Sequence, residues 1–578
     1  MSQIRHVYIK RFRSINELVW LPKPGLNCLI GAGDSGKSTL LDAIDLALGA
    51  RRFYPFTDAD FYQLDTSEPI EIFITLGALD EQLKNIEAYG AFLRSFDVAT
   101  GEISDEPLVG RETVITMKLT VGEDLAPDWL LFSERALIDG IERRLTWKHR
   151  ELVTPARLGA APNYHLAWGN RSVLNKLSED TINVSSTLAQ LGRNAREAFS
   201  EHEVEGISDV LVQVKKVANR LGVSVGDLKA LLDVKSVSLS NGAISLHNDD
   251  KTPLSQLGTG SSRLLISGLQ KSASTSKILI VDEAEYGLEP FRITRLLNEL
   301  GSKDTVPEQQ VFITTHSPYV LRELKAEQLH VVRKAKSVPF PPPHSHYSHL
   351  IYSLSRGVEQ QSTLRACAEA FFSRTVIVCE GKTEIGLVKG IDLYSQDQGC
   401  VSIQANGAYC ADGGGQTQFQ RAKIFRNLGY PTAMLKDSDK PTEDLVETNE
   451  AHALGIKVFE WGNNYATEDA LFCCCPVIAI SELVNLAIAR KGRDSINSNI
   501  QFMSKNQFDL DNYQVNFEDS MRLILSAAAK KYSWFKDIEP AENLARLIVG
   551  PQWTNFHQIF TLPINDLFAW AKIEDGRP

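Results

Sequence analysis

The feature that most narrows what this 578-residue chain can fold into is a short glycine turn, Gly31-Ala-Gly-Asp34-Ser35-Gly36-Lys37-Ser38-Thr39. It follows the apolar run Leu26 to Ile30 and opens the segment Ser38 to Leu48, where Leu41, Ile44 and Leu48 recur at helical spacing. In a strand, glycine turn and helix of this kind, backbone N–H groups close around a phosphate and the helix N-terminus adds its positive dipole end. Lys37 would reach the β- and γ-phosphates of ATP and Ser38 would ligate Mg²⁺, with Gly31, Asp34, Ser35, Gly36 and Thr39 completing the cradle. A chance glycine-rich turn satisfies the pattern too, so the rest of the chain has to decide.

The second half of such a site lies far along the chain. Lys277-Ile-Leu-Ile-Val-Asp282-Glu283 reads as a buried strand ending in two acids, Asp282 to hold the ion through water and Glu283 to act as general base. Val311-Phe-Ile-Thr-Thr-His316-Ser317-Pro318 reads as a further strand delivering His316, which can hydrogen-bond a γ-phosphate. Between the phosphate loop and these acids stands Leu254-Ser255-Gln-Leu-Gly258-Thr-Gly260-Ser261, a signature-like segment before a helix, with Ser255, Gly258 and Gly260 as candidate phosphate contacts. Gln63, after Asp60-Phe61, is a weaker nucleotide candidate. Four elements in the right order are hard to reach by chance.

Length argues for two or more domains. The first residues run directly into alternating apolar positions with no signal peptide, and the eight cysteines follow no disulfide or zinc spacing, so a cytoplasmic protein is expected. The run Cys473-Cys474-Cys475 reads as core packing before any metal or redox role. The apolar stretch Leu471 to Ala489 is interrupted by Pro476, Ser481 and Glu482, which favours a buried helix over a membrane span. Net charge is −11, which counts against constitutive nucleic-acid binding without excluding it. Residues 1–337 read as one α/β unit with a helical insertion at about 160–245, seen in the periodicity from Ala195 to Val234. Residues 338–370 read as a linker, from the run Val338-Pro-Phe-Pro-Pro-Pro-His-Ser-His-Tyr-Ser-His349, whose histidines fit an exposed turn better than a metal site. Residues 371–578 restart the α/β pattern.

That second unit carries its own acids. Arg374-Thr-Val-Ile-Val-Cys-Glu380-Gly-Lys-Thr-Glu384 is a strand, an acid, a glycine turn and a second acid, and Pro431-Thr-Ala-Met-Leu-Lys-Asp437-Ser-Asp439 is a strand ending in two aspartates. Acids beyond the carboxyl ends of strands in one sheet stand where ligands bind. Four carboxylates converging there suit Mg²⁺ or Mn²⁺, and two such ions about 3.5–4 Å apart can cut a phosphodiester. Two unrelated solvated loops are the plainer alternative.

Set in order, these motifs resemble known families. Ile9-Lys-Arg-Phe12-Arg13-Ser14, the phosphate loop, Asp282-Glu283-Ala-Glu285 and Thr315-His316-Ser317-Pro318 resemble the heads of SMC- and RecF-like ABC ATPases. That likeness implies two heads that complete each other's site, as a homodimer or higher homo-oligomer. Glu380-Gly-x-Thr-Glu384 with Asp437-x-Asp439 resembles the Toprim domain, and Gln404-Ala-Asn-Gly407 fits another loop at its sheet edge. Tyr465-Ala-Thr-Glu468-Asp469 looks like the further acidic motif of Toprim nucleases, with Glu468 a metal ligand. Lys530-Lys531-Tyr-Ser-Trp-Phe-Lys536 offers a transition-state cation, Lys536 before Lys531, with a surface lysine run nearly as good a reading.

The order of the two parts is similar to the OLD (overcoming lysogenization defect) nucleases, relatives of the Gabija nuclease subunit and of retron effectors. The likeness implies a nucleotide-regulated, metal-dependent DNA endonuclease in anti-phage defence, sometimes with a helicase-like or a retron reverse-transcriptase and nucleic-acid partner, and no membrane. A non-nucleolytic SMC/RecF-like repair ATPase, a scaffold subunit using ATP for assembly, and a primase-like phosphoryl-transfer enzyme are the competing readings.

Overall fold

In the first strand Ile4, Val7, Ile9 and Phe12 are fully buried while most of their neighbours are half-exposed, the pattern of a sheet with one covered face. The computed structural model describes residues 2–158, 163–166, 172–177, 207–220, 245–273, 276–335, 348–511 and 519–572, with isolated positions between 188 and 198.

Strands β1 (Gln3–Phe12), β2 (Ile15–Trp20), β3 (Leu26–Ile30), β4 (Ile70–Gly77), β5 (Leu93–Phe96), β6 (Ile103–Ser104), β7 (Glu112–Val121) and β8 (Pro127–Phe132) are joined by helix α1 (Lys37–Leu48) between β3 and β4. All but β3 form one antiparallel sheet in the order β2-β1-β4-β7-β5-β6, with β8 also on β7. Strand β3 belongs to a second sheet with β9 (Ala156–Arg157), β10 (Ile278–Val281), β11 (Gln310–Thr314), β12 (Leu329–Lys334) and β13 (His349–Ser353). Its order is β13-β12-β3-β11-β10-β9, parallel except for β13.

Helix α1 lies between these sheets. Leu40, Leu41, Ala43, Ile44, Leu46, Ala47 and Leu48 are all buried, as a helix apolar on nearly every side requires. The period of two sorts the parallel strands: Leu29, Ile280 and Phe312 face α1, whereas Cys28, Ile30, Val281 and Ile313 face the opposite side. That opposite side packs against residues from the C-terminal part, including Phe371, Val376, Val378, Phe425 and Met434, in one continuous core. The C-terminal sheet, β14 (Thr375–Cys379), β15 (Ala408–Asp412), β16 (Thr432–Lys436) and β17 (Lys457–Glu460), is parallel in the order β15-β14-β16-β17.

Three expectations are corrected or bounded. The linker expected at 338–370 is structured from residue 348 on: β13 pairs antiparallel with β12, and a helix, α4 in the order below, spans Val358–Ala366. His349-Leu-Ile-Tyr-Ser alternates well enough to take an edge position once the prolines, which end at Pro343, are behind it. His349 is accordingly buried, not exposed, whereas His344 and His346 lie outside the described residues. Of the helical insertion, α2 (Ile207–Arg220) is described, and the stretch 221–244 is outside the described residues.

The apolar stretch Leu471 to Ala489 is two helices, because Pro476 cannot continue the first. The helices used below, in order, are α3 (Thr259–Ala273), α4 (Val358–Ala366), α5 (Lys382–Asp397), α6 (Thr467–Cys474), α7 (Val477–Lys491), α8 (Ser520–Lys531) and α9 (Ile538–Leu544). Cys474 and Cys475 are buried and Cys473 is half-buried, all as free thiols.

Candidate active site: a phosphate loop and a carboxylate cluster

The glycine turn leaves β3 and enters α1 through backbone conformations that few other residues adopt. Gly31 stands at φ +140°, so close to β12 that a Cβ would meet the Val332 carbonyl at 2.6 Å, and Gly36 caps α1 in the left-handed region. The buried Lys37 folds back on the loop, its Nζ donating to the Gly31 and Ala32 carbonyls at 3.1 and 2.9 Å and to Ser35 Oγ at 3.3 Å. Burial lowers its pKa, and the carboxylates of Asp34 and Asp282 act the other way. Asp34 takes a left-handed backbone, and Thr39 sits half-buried on the first turn of α1.

The sheet brings the distant acids to this loop. Ser38 Oγ donates to Asp282 Oδ1 at 3.2 Å, and Thr314 Oγ1 donates to the same oxygen at 2.5 Å. Arg157 reaches Asp282 Oδ2 at 3.4 Å and Asp42 of α1 at 2.7 Å. Glu283 is exposed at the strand end, with its N–H held by Thr314 Oγ1 at 2.8 Å and its backbone at φ +50°. A positive φ in a non-glycine residue is a strain carried at a site where the side chain must be aimed. His316 is exposed as well; its N–H and the Thr315 hydroxyl are both tied to Glu285 at 2.7 Å, and its ring stacks on Phe372.

The signature segment forms a short turn at Leu254–Gln256, holding Ser255, and α3 begins one residue after Gly258. Gly260 packs on the turn after Glu283 so closely that a Cβ would stand 2.2 Å from the Gly287 carbonyl. Arg263 of α3 donates to the carbonyls of Asp282, Glu283 and Tyr286 at 2.7, 2.9 and 3.1 Å, clamping signature helix and acids together. Gln63 is exposed and contacts Tyr62; its segment is anchored by Asp60, which Arg13 pairs at 2.9 Å while also holding Asp42 at 2.6 Å. No hydrogen bond among those described joins Gln63 to the phosphate loop.

In the C-terminal sheet, β14 and β16 are neighbours, so Glu380 and Asp437 emerge side by side. Glu380 Oε2 accepts the Asp437 N–H at 3.0 Å. Glu384, on the first turn of α5, accepts the Gly381 N–H at 2.8 Å and is buried. Asp437 Oδ1 accepts from the Thr467 N–H and hydroxyl at 2.9 and 2.8 Å, which fixes the N-terminus of α6 and with it Glu468. Burial pushes the Asp437 carboxyl up to about 8, with Glu384, Glu380 and Glu468 adding repulsion against the Thr467 hydrogen bond. Burial and Glu384 raise Glu468 to about 7, and burial raises Glu384.

Among the described residues no three His, Cys, Asp or Glu side chains are arranged to hold one ion as they stand. The donor set nevertheless fits a hard cation. Clustered carboxylate oxygens that repel one another are stabilised by a divalent ion, and Glu380, Glu384, Asp437 and Glu468 are the residues that would hold it.

The other Asp-x-Asp member is placed differently. Asp439, expected as a metal ligand, is paired here with Lys530 of α8 at 2.7 Å. Lys530 also senses the charges of Asp469 and Asp437. Lys531 lies over the Phe502 ring, and Lys536 is exposed beside Asp537, which pairs Lys382 at the start of α5 at 3.6 Å. The lysine in contact with the acids is therefore Lys530, not the preferred Lys536.

Arg157, Arg263, Thr314 and Thr467 were not singled out from sequence. Threonines at a strand end and a helix start carry a weak signal, while the arginines act across folds of the chain that no local pattern records.

An ATP-type phosphate loop paired with strand-end acids, joined to an acidic parallel sheet, defines an SMC/RecF-like ATPase head followed by a Toprim domain. The chain belongs to the family described as "AAA domain, putative AbiEii toxin, Type IV TA system", matched over residues 26–322. Residues 371–439 match the "Overcoming lysogenization defect protein-like, TOPRIM domain", which gives the OLD architecture.

A curated relative, the DNA replication and repair protein RecF of Shewanella sediminis (strain HAW-EB3), is 24% identical over 256 residues. The match covers 44% of this chain and 64% of that protein. Solved structures with likeness include the SMC head domain from Thermotoga maritima, at 13% identity, 61% of this chain, 99% of that chain and a TM-score of 0.28. Another is the Smc head domain with an extended coiled coil derived from Pyrococcus furiosus, at 12%, 61%, 97% and 0.31. The two domains imply use of nucleotide and of a divalent metal. No helix among the described residues is long and apolar enough to cross a membrane.

Proposed function

We propose that this chain is a nucleotide-regulated, divalent-metal-dependent DNA endonuclease that nicks or cleaves DNA in defence against phage. The observation that carries the reading is the meeting of Glu380, Glu384, Asp437 and Glu468 beyond the carboxyl ends of β14 and β16, in a chain whose other sheet builds an ATP site. A divalent ion bound there supplies Lewis acidity toward a phosphodiester and its attacking water. Thr467 orients Asp437, Gly381 orients Glu384, and Lys530, with Lys536 nearby in sequence, offers a cation to the departing oxygen.

At the other site Lys37, Ser38 and Asp282 hold nucleotide and ion, Glu283 aims the water, and His316 contacts the γ-phosphate. Ser255, Gly258 and Gly260 serve the site of a second head in a homodimer or larger homo-oligomer. The exposed Leu257, Tyr286 and Phe291 beside the signature support that assembly. With a net charge of −11, phosphate contacts come from a local basic groove or from a partner, of which a helicase-like subunit or a retron reverse transcriptase with its nucleic acid is the expected kind. A location in the cytoplasm goes with this reading.

The test is incubation of the pure chain with supercoiled plasmid and Mg²⁺ or Mn²⁺, with and without ATP, repeated on Glu380→Ala. Nicking by the wild type and none by the variant is expected. Intact plasmid under every nucleotide and metal condition would overturn the nuclease reading in favour of a repair ATPase or scaffold.

A further inference from the structure

Strand β13 carries an unusual histidine. His349 is 3% exposed, and its Nε2 is a buried nitrogen without a hydrogen-bond partner. The other ring nitrogen is accounted for. Ser348 Oγ accepts the N–H groups of Asn16 and Glu17 at 2.8 and 3.1 Å, which occupies both of its lone pairs, and it lies 2.9 Å from His349 Nδ1. Its own proton therefore goes to Nδ1, in preference to the Glu17 carbonyl at 3.2 Å. With Nδ1 accepting, the neutral ring carries its hydrogen on Nε2, an unmet donor.

That donor faces the phosphate loop. A Cβ on Gly36 would stand 3.3 Å from His349 Nε2, 3.4 Å from its Cδ2 and 3.6 Å from Ser14 Oγ. Gly36 is the residue before Lys37 and the cap of α1, where the helix presents its N–H groups to phosphate. A buried donor left unmatched costs stability, and an incoming oxygen restores the loss.

We propose that His349 is a nucleotide contact delivered by β13, its Nε2–H donating to a ribose or phosphate oxygen of the nucleotide held by the loop. The inference rests on the nucleotide site described above and on nothing in the nuclease reading. It gives β13 a role no linker would have. Three residues further on, Tyr352 lies against Gly429, where a Cβ would stand 2.7 Å from the ring, and Gly429 shortly precedes β16, the strand that ends at Asp437. One short strand thus lies against the phosphate loop and against the turn that leads into β16.

Equilibrium binding of Mg-ATP and Mg-ADP to the full chain tests the contact, with Lys37→Ala as control and the melting temperature of each nucleotide-free protein measured alongside. His349→Ala should weaken both nucleotides about tenfold, the loss of one charge-assisted hydrogen bond. His349→Gln, which keeps a donor, should recover to within about threefold of wild type. Wild-type affinity in both variants overturns the proposal. Equal weakening in both, with melting lowered to match, overturns it too, since that marks a packing residue. A wild-type chain that binds neither nucleotide sinks the nucleotide site itself, a failure distinct from loss of the histidine contact alone.

Discussion

Replacing Gly386 with alanine should destabilise the C-terminal unit, against the general preference of helices for alanine. Gly386 and Gly390 lie one turn apart on α5 and face Ala541 and Ala545, which begin and follow the close approach of α9. A Cβ on Gly386 would stand 2.4 Å from the Ile538 carbonyl and 2.5 Å from the Ala541 Cβ. Ordinary carbon contacts need about 3.5–4 Å, so the helices must part by about 1 Å. Because the obstructing atoms are main chain or an alanine Cβ, no rotamer change relieves the clash.

Removing the glycine gains up to about 1 kcal/mol of helix propensity, while overpacking costs about 1–3 kcal/mol. The net loss should be about 1–2 kcal/mol, a fall in melting temperature of about 2–8 °C for a unit of this size. Glu384 rides on the same helix, so the rise in melting temperature produced by Mg²⁺ or Mn²⁺ should shrink as well. Gly268 of α3 is the control: it is exposed and nothing lies within 4 Å of its would-be Cβ, so alanine there should stabilise by up to about 1 kcal/mol. Calorimetry of both variants decides. A Gly386→Ala chain as stable as wild type, with its metal response intact, would refute the packing argument.

Other outcomes follow from the same geometry. Glu283→Gln should bind ATP normally but hydrolyse it at least about a hundredfold more slowly, read by phosphate release, and unchanged turnover would remove Glu283 as the base. Divalent ion at about a hundred times its dissociation constant should add about 2.7 kcal/mol to the C-terminal unit. Asp437→Asn should abolish that melting shift, and an undiminished shift would place the ion elsewhere. Lys530→Met should cut plasmid nicking more than Lys536→Met, and the reverse order would show that the Asp439 pair is only structural.

Two histidines make the fold sensitive to acid. Burial, with Arg94 and Lys23 adding to it, lowers His6 to about 4 and His330 to about 3. Both are neutral when folded and take up a proton on unfolding below about 6.5, so stability held above that pH is lost as pH falls from 6.5 toward 4. Each costs about 1.4 kcal/mol per pH unit once its unfolded form is protonated. His330→Gln should flatten the acid limb of a urea-midpoint profile by one such slope, and an unchanged profile would contradict the burial argument.

What could be read from the sequence was what a short stretch must do by itself. A phosphate loop needs its glycines and lysine in order, and an acid poised at a sheet edge needs an apolar strand immediately before it. Gly31 to Ser38, Asp282, Glu283, Glu380 and Asp437 were all legible for that reason. Strand β13 was not, because the proline run before it masks its alternation and its partner β12 is recognised only once the sheet exists. Lys530 and Asp439 lie far apart in sequence, and so do Arg263 and the carbonyls it clamps, so no spacing rule joins them. Within the run Lys530 to Lys536 no spacing rule singles out one lysine; in the fold Trp534 and Phe535 are core, Lys530 in the last turn of α8 pairs Asp439, and Lys536 lies in the segment after it.

The shared core decides how the two sites can communicate. A flexible linker would let the Toprim sheet drift independently of the ATPase head, yet Cys28, Ile30, Val311 and Ile313 pack into the same cluster as Val376, Val378 and Met434. Close-packed interiors transmit displacement because they have no room to absorb it. Arg333 fixes the orientation further. It is 3% exposed, donates to the carbonyls of Ser373 and Arg374 at 3.4 and 2.9 Å, and lies 4.3 Å from the Tyr430 ring centroid. A buried guanidinium answered, among the described residues, by carbonyls and by Tyr430 is costly when misaligned, so it favours one arrangement of the two sheets over its neighbours. A nucleotide-dependent shift of β3 or β11 would press on the same apolar cluster that supports β14 and β16, the strands leading to Glu380 and Asp437. The coupling this fold allows is therefore a concerted movement of packed sheets, with β13 as a second connection on the phosphate-loop side.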